Sequence, residues 1–336
     1  MLELIVEVCL AARGDLCADR LLPGACIEAR AETWVAARPE LTLAGWRCGG
    51  VAPLAVVEIA PGVFVHEGAV ATLDRANLGD HANVGFIIGS EAVAVIDTGG
   101  TRHVAEGLYA AVRERTDLPI GWLILTHTHP DHVMGGAVFD EAGAVVIGHA
   151  RLGPALEARA DTYVAAMDRL AGPAAGIGGG LVLPEEAVDG RREIDLGGRL
   201  LTLEAHPTAH TDNDLTVFDE TTGTWWLSDL IFASHLPVVD GSVLGWIDLL
   251  DALALRPASR VVPGHGAVSQ PWPAAAGPTR DYLARLVAET RDALARGEPL
   301  SVAGARVGAD LRGAWELFDD FNARNATTVY RELEWE

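Results

Sequence analysis

A short histidine-rich stretch, LILTHTHPDHVMGGA at residues 123–137, places three histidines and an aspartate within six positions. In an extended segment His127 and His129 project on the same side, because side chains alternate along a strand. The proline that follows suits the first position of a helix, which places Asp131 and His132 on its opening turn. Imidazole and carboxylate groups together suit a cation such as Zn²⁺. The stretch therefore predicts a metal site at a strand end, with a spacing that favours two metals.

The composition predicts a soluble globular protein with one large domain and an appendage, since 49% of its 336 residues are hydrophobic and 21% are charged. The formal net charge of −22 argues against a nucleic-acid partner, which needs a concentrated basic surface. No apolar run approaches the ~20 residues that cross a bilayer, so we expect no membrane span.

The four cysteines, Cys9, Cys17, Cys26 and Cys48, all lie in the first 48 residues. They form no C-x-x-C pair, which disfavours zinc-ribbon and thioredoxin-like interpretations. Two disulfides in a small exported module are the favoured interpretation, and free buried thiols are the alternative. Three pairings stay open. The first residues, MLELIVEVCLAARG, lack the basic region of a secretory leader and predict a strand instead.

Hydrophobic patterning predicts the same order of strands and helices twice. The first set has a helix at 101–116 and strands at 55–60, 63–67, 83–89, 92–100 and 121–127. The second set has a helix at 244–256 and strands at 199–206, 215–219, 224–229 and 260–266. Further helices are predicted at 150–172, at 278–297 and near the end. The glycine-rich segment 172–184 lacks the P-loop form and predicts a flexible loop.

The histidine-rich stretch resembles the H-x-H-x-D-H signature of the metallo-β-lactamase superfamily, and four further segments match that family in order. They are IDTGG with Asp97, AHTDND with His210, WLSDLIF with Asp229 and PGHG with His265. The resemblance covers roughly residues 55–270. It implies an α/β fold, the αββα sandwich of that family.

The same resemblance implies two metal sites that share one ligand. One metal would be held by His127, His129 and His210, the other by Asp131, His132 and His265, and Asp229 would bridge them. Asp97 would orient groups behind the ligands. Two zinc ions are the expected cofactors, with iron or manganese as alternatives.

Asp229 narrows the kind of chemistry that the resemblance implies. Lactamases with strong antibiotic activity lack this bridging aspartate, so Asp229 indicates a glyoxalase-II-like or lactonase-like arrangement, although Ser228 stands where the superfamily commonly has glycine. His206 is a candidate for a position behind the ligands, and His235 is a candidate for a position facing the substrate. The other histidines are interpreted as ordinary structural residues, namely His66, His81, His103 and His149.

A closer resemblance rests on HTDNDLTVFDE, WWLSDLIFASHLPVVDGSVLGW, VVPGHGAVSQPWP and the terminal ELEWE. These segments are similar to the quinoprotein relay system zinc metallohydrolases, bacterial proteins associated with periplasmic quinoprotein alcohol oxidation. This resemblance implies a disulfide-bearing module (1–50), a metallo-β-lactamase-fold domain (51–276) and a packed helical tail (277–336). It also implies a periplasmic rather than cytoplasmic location, with the leader absent from this chain, and a functional link to a periplasmic quinoprotein dehydrogenase.

The expected chemistry is hydrolysis of a small-molecule ester, lactone, thioester or amide. Two metals about 3.5–4 Å apart lower the pKa of a shared water to near neutrality, and Asp131 would help to orient the hydroxide that attacks the carbonyl. Three alternatives stay open. They are β-lactamase-like activity on lactam antibiotics, a mononuclear iron sulfur dioxygenase, and a non-catalytic metal-binding accessory or maturation module.

Overall fold

The computed structural model describes residues 2–336, which contain fifteen β-strands and ten α-helices. The strands are β1 (Glu3–Leu10), β2 (Arg13–Ala25), β3 (Leu41–Gly49), β4 (Val57–Ala60), β5 (Val63–His66), β6 (Val84–Ile88), β7 (Val93–Ile96), β8 (Ile120–Leu125), β9 (Val145–His149), β10 (Glu186–Val188), β11 (Arg191–Asp195), β12 (Leu200–Ala205), β13 (Leu215–Asp219), β14 (Thr224–Phe232) and β15 (Arg260–His265). The helices are α1 (Glu28–Ala36), α2 (Arg102–Arg113), α3 (Pro130–Val133), α4 (Ala137–Glu141), α5 (Leu152–Leu170), α6 (Pro173–Gly176), α7 (Val243–Leu253), α8 (Ala276–Ala295), α9 (Leu300–Arg306) and α10 (Phe318–Leu333).

Two sheets lie face to face at the centre of the molecule. One has seven strands in the order β10-β9-β8-β7-β6-β5-β4, and the other has five in the order β11-β12-β13-β14-β15. Ile96 and Ile124 of the first sheet share a hydrophobic cluster with Leu203 and Trp226 of the second. All four residues of β7 are buried, because both faces of its sheet are covered.

Helices cover the outer face of each central sheet. On the seven-stranded sheet, Leu108 of α2 belongs to the same buried cluster as Leu123 of β8. On the five-stranded sheet, Trp246 of α7 and Val329 of α10 belong to the same cluster as Trp225 of β14. The order of layers is therefore helix, sheet, sheet, helix, which confirms the predicted αββα sandwich.

Residues 3–49 form a small third sheet, β2-β1-β3, together with α1. The sequence pattern predicted only β1, because β2 and β3 are largely exposed and carry no long apolar run. Two disulfides close this module, Cys9–Cys17 and Cys26–Cys48. The favoured disulfide interpretation is thus confirmed, and one of the three open pairings is selected.

Arg102, the first residue of α2, joins the small sheet to the large domain. Its buried guanidinium donates hydrogen bonds to the backbone oxygens of Leu21 (2.7 Å) and Gly178 (2.9 Å). It also contacts the carboxylates of Glu106 (2.9 Å) and Glu141 (2.6 Å). A buried charge is tolerated only when it is paired and hydrogen-bonded, and these four partners meet that condition.

The carboxyl-terminal helices share a core with the main domain. Leu286 of α8 and Val329 of α10 lie in the cluster that covers β14. The predicted boundary before residue 277 falls just inside α8, which begins at Ala276. The three-part division of the chain stays a prediction. Within residues 2–336, no helix is both long and apolar enough to cross a membrane.

Most of the predicted strands and helices are confirmed, with their ends shifted by a few residues. The strand predicted at 224–229 continues to Phe232. The predicted glycine-rich loop at 172–184 contains one short helix, α6. The sequence pattern missed β10, which has three residues, and β11, whose charged and mostly exposed residues carry no alternating apolar pattern.

Candidate metal centre

The histidine-rich stretch follows the carboxyl end of β8, an inner strand of the seven-stranded sheet. Strand β8 ends at Leu125, so His127 and His129 stand in the turn that follows it. Asp131 and His132 lie on the first turn of α3, which begins at the proline, as the sequence predicts. The backbone N–H of His132 donates to the carbonyl oxygen of His129 at 3.1 Å, and this bond keeps the turn tight.

The second half of the chain completes the cluster from the other sheet. His210 lies in the loop after β12, Asp229 lies within β14 and His265 is the last residue of β15. Strands β14 and β15 are parallel neighbours. The seven predicted ligands fall into two groups whose ligand atoms lie within 4.8 Å of one another: His127, His129, His210 and Asp229, and then Asp131, His132 and His265.

The first group is built on three imidazoles that face one another. The Nε2 atom of His127 lies 3.1 Å from Nδ1 of His129, and Nε2 of His210 lies 3.0 Å from the same Nδ1. The Oδ2 atom of Asp229 lies 3.4 Å from Nε2 of His210 and 3.8 Å from Nε2 of His127. Three nitrogens and one carboxylate oxygen thus converge on one point.

The second group shares Asp229 with the first. Nε2 of His265 lies 3.5 Å from Oδ2 of Asp131, and Nε2 of His132 lies 3.7 Å from the same oxygen. Oδ1 of Asp229 lies 3.2 Å from Nε2 of His132, and its Oδ2 lies 3.4 Å from Nε2 of His265. The carboxylate of Asp229 therefore lies between the two groups and reaches both.

The protein holds each imidazole by its other ring nitrogen, which fixes the orientation of the ring. Carboxylates hold two of the rings: Asp97 contacts Nδ1 of His132 (2.8 Å), and Asp240 contacts Nε2 of His129 (3.2 Å). Backbone carbonyl oxygens hold two more: that of Val238 contacts Nδ1 of His210 (2.8 Å), and that of His81 contacts Nδ1 of His265 (2.7 Å). The hydroxyl of Thr126 contacts Nδ1 of His127 (3.1 Å).

Asp97 lies next to His132, one of the candidate ligands. Its carboxylate accepts from the backbone N–H and the hydroxyl of Thr126, both at 2.8 Å, and faces Nδ1 of His132. Ser228 stands where the superfamily commonly has glycine. Its φ is 47°, in the left-handed region that favours glycine. Its hydroxyl lies 2.9 Å from that of Thr126 and so joins the same network.

The electrostatics of the cluster differ between its two groups of residues. Burial lowers the pKa of His210 to about 3, and burial together with the neighbouring His132 imidazole lowers the pKa of His127. Burial alone would raise the pKa of Asp229, but the imidazoles of His265 and His132 lower it well below its usual value. Against the effect of burial, the carboxylate of Asp229 raises the pKa of His132 and His265 and so favours their protonated forms, whose protons a bound metal ion would replace.

Two buried atoms of the cluster indicate a bound metal ion. His132 Nε2 and Asp229 Oδ1 lie 3.2 Å apart, but within residues 2–336 neither is aligned with a hydrogen-bond partner. Buried polar atoms of this kind need an ion or a water to compensate for their desolvation. Five imidazoles and two carboxylates suit zinc, iron or manganese better than calcium or magnesium. The residues present therefore fit metal ions.

A cavity of about 210 Å³ opens over the cluster and is lined by Asp131, Asp229 and His265, among other residues. His235 also lines the cavity, with its ring centroid 4.7 Å from that of His265, which agrees with the predicted position facing a substrate. His206 is placed differently. It is buried, and its Nε2 bonds to the hydroxyl of Thr216, so the structure does not bring it to the cluster.

Several residues at the site carried no recognisable sequence signal. His81, interpreted as an ordinary structural residue, lines the cavity with its Nε2 3.6 Å from Oδ2 of Asp131. Asp240 contacts His129, and Phe321 and Arg324 reach the cavity from α10. Helix α10 lies far along the chain from the motifs, so only the packing of the fold places these two residues here.

The chain belongs to the metallo-beta-lactamase superfamily. The model of that family matches residues 78–265, a range that contains all seven candidate ligands. Members of this superfamily are hydrolases. No curated protein gives a match to the chain.

Solved structures of metallo-beta-lactamases share the fold. A metallo-beta-lactamase from Pontibacter korlensis is 20% identical, with a TM-score of 0.54 over 69% of this chain and 99% of that one. TMB-1, whose structure was described with residues that act in substrate and inhibitor binding, is 18% identical, with a TM-score of 0.54 over 70% of this chain and 98% of that one. About 30% of this chain lies outside each of these matches.

Proposed function

We propose that the protein is a hydrolase that binds two zinc ions and cleaves a small-molecule ester, lactone, thioester or amide. The observation that carries this proposal is the position of Asp229, whose two oxygens lie within 3.2–3.8 Å of imidazole nitrogens in both groups. One carboxylate between two sets of donors can contact two neighbouring metal ions at once.

Each residue has a separate task in the proposed reaction. His127, His129 and His210 would hold one ion, Asp131, His132 and His265 the other, and Asp229 both. When bound, zinc supplies a Lewis acid and lowers the pKa of water. Asp131 lines the cavity, so its carboxylate would orient the attacking water by accepting a hydrogen bond from it. Asp97 would keep Nε2 of His132 directed at the centre.

Metal content and turnover, measured on the same preparation, test the proposal. We expect two zinc ions per chain and hydrolysis within a panel of esters, lactones, thioesters and a chromogenic cephalosporin. In His127→Ala we expect turnover to fall by more than about 100-fold, because a ligand is lost. Full turnover by this variant would contradict the proposal.

The same measurements separate the alternatives. Hydrolysis of the cephalosporin in preference to the other substrates would favour lactamase activity. One iron per chain with sulfur-dependent oxygen uptake would favour the dioxygenase. Bound metal without any turnover would favour an accessory or maturation module. Each of these three results would replace the proposed hydrolase.

We further propose that the protein works in the periplasm, in connection with a quinoprotein dehydrogenase. The two disulfides support an oxidising compartment, and the resemblance to the quinoprotein relay metallohydrolases supports the connection. The test uses a quinoprotein alcohol dehydrogenase in the presence of its own aldehyde products. We expect that adding the protein changes the rate of alcohol-dependent dye reduction by the dehydrogenase. An unchanged rate would argue against the connection, and free thiols in the protein isolated from its native cells would argue against export.

A further inference from the structure

Some of the residues that line the cavity over the metal centre come from outside the matched family region. They are Phe321 and Arg324 of α10 and the loop residues Ala71, Thr72 and Leu73. The volume of about 210 Å³ suits a small molecule or one end of a larger one. These lining residues should therefore contact the part of the substrate that does not react.

Arg324 supplies the only permanent positive charge among the described residues that line this cavity. The acidic residues in the lining are Asp131 and Asp229, which both belong to the candidate ligand groups. A guanidinium stays protonated under all ordinary conditions. In a chain with a net charge of −22, most of the surface repels anions. The positive charge of Arg324 thus makes this cavity attractive to a negatively charged group.

The nearby carboxylate does not neutralise this charge. Asp240 accepts one hydrogen bond from Nη2 of Arg324 at 3.3 Å, and its other oxygen lies 3.2 Å from Nε2 of His129 and 4.0 Å from Nη2 of Arg159. One carboxylate thus serves two guanidiniums and an imidazole. Within residues 2–336, the bond to Asp240 is the one hydrogen bond that the Arg324 guanidinium makes, so further N–H donors remain for a ligand.

The backbone that carries Arg324 is fixed relative to the metal centre. The next residue, Asn325, is fully buried; its side chain donates to the carbonyl oxygen of Pro237 at 2.6 Å and accepts from the N–H of Val239 at 2.9 Å. The carbonyl oxygen of the residue between them, Val238, accepts from Nδ1 of His210. One short segment therefore positions both a candidate ligand and the start of the Arg324 side chain.

We infer that Arg324 binds a carboxylate of the substrate, so that the protein hydrolyses small acyl compounds that carry a carboxylate away from the reacting carbonyl. This inference rests on the proposed hydrolase function. A single guanidinium with free donors on one edge matches the two oxygens of a carboxylate. A phosphate dianion has a larger charge, and Arg324 is the one guanidinium among the described residues that line the cavity.

Matched substrates test the inference on the metal-loaded protein. The substrates are p-nitrophenyl succinate, the neutral p-nitrophenyl butyrate, and the p-nitrophenyl ester of 3-phosphonopropanoate. For Arg324→Gln we expect kcat/KM on the succinate ester to fall about 10- to 100-fold, mainly through KM, because a charged hydrogen-bonded contact is lost. On the butyrate ester we expect less than about a twofold change. Arg324→Lys should recover part of the loss on the succinate ester.

The control is Arg331→Gln, which removes the same charge from an exposed position of α10 outside the cavity lining. This variant should behave like the wild type on every ester. An equal loss on the succinate and butyrate esters in Arg324→Gln would show a structural role and overturn the inference. No loss on either ester would also overturn it. A larger effect of Arg324→Gln on the phosphonate ester than on the succinate ester would also overturn it.

Calorimetric titration with succinate gives a readout that does not depend on turnover. We expect Arg324→Gln to bind succinate about 10-fold or more weakly than the wild type and Arg331→Gln to bind it equally well. Any coordination of succinate by the metal is common to all three proteins and cancels. Equal affinity in all three would overturn the inference. If the wild type hydrolysed none of these esters and nothing in the panel of the proposed function, the hydrolase proposal would fail, while the titration would still decide the role of Arg324.

Discussion

Replacing Asp229 with alanine is expected to remove both metal ions from the protein and to lower turnover by more than about 100-fold. The reason is the shared position of this carboxylate. Its Oδ1 lies 3.2 Å from Nε2 of His132, and its Oδ2 lies 3.4 Å from both His210 and His265. Removing it takes a ligand from each group and leaves several buried imidazoles without their anionic neighbour. Metal analysis after purification without added metal measures the effect.

A second variant and a control separate metal loss from unfolding. Asp229→Asn keeps the shape of the side chain but removes the charge, so it should lose metal while the fold is kept. Asp219→Ala removes an equally buried carboxylate from the same sheet, one that is paired with Arg199 at 2.6 Å, away from the cluster. We expect this control to lose stability but to keep its metal. Two ions per chain in Asp229→Asn would refute the shared-ligand assignment.

A single added methyl group at Gly264 is expected to have a comparable effect on metal content. A Cβ at this position would lie 1.7 Å from Oδ1 of Asp229 and 2.9 Å from the backbone nitrogen of that residue. Both distances are too short, so the Asp229 carboxylate or strand β15 must move. We expect Gly264→Ala to bind at most one metal ion and to lose about 1–3 kcal/mol in the free energy of unfolding from overpacking.

The matched control for this variant is Gly277→Ala in α8, where an added Cβ would meet no atom within 4 Å. Alanine has a higher helix propensity than glycine, so the free energy of unfolding of this control should be unchanged or slightly higher. The control should also keep its metal. Metal analysis and chemical denaturation on both proteins make the comparison. Two metal ions in Gly264→Ala would mean that the site adapts more easily than the packing around Asp229 indicates.

The parts of the site that local sequence patterns describe were predictable. The positions of Asp131 and His132 on the first turn of α3 follow from the proline before them and from the end of β8. The αββα layers followed from the family resemblance, whereas the hydrophobic pattern predicted most of the strands and helices that form them. Asp97, His210, Asp229 and His265 followed from family resemblance, because their short segments match the family in order.

The parts of the site that depend on packing between distant segments were not predictable. Arg324 and Phe321 lie on an ordinary amphipathic helix, and nothing in its spacing shows which residues face the cavity. His81 lies in an irregular loop without a motif, so its sequence gave no reason to separate it from other histidines. His206 was a candidate for a position behind the ligands, but its Nε2 bonds with the hydroxyl of Thr216 instead.

The buried Arg102 has a consequence for protein engineering. Its guanidinium donates a hydrogen bond to the carbonyl oxygen of Leu21 in the disulfide-bearing module and forms ion pairs with carboxylates of the large domain. A chain shortened to begin after Gly50 would lose the first of these partners and uncover the apolar side chains that Ile5 and Leu21 now cover. The module therefore packs as part of the large domain, and we expect a chain shortened in this way to be less stable than the whole protein.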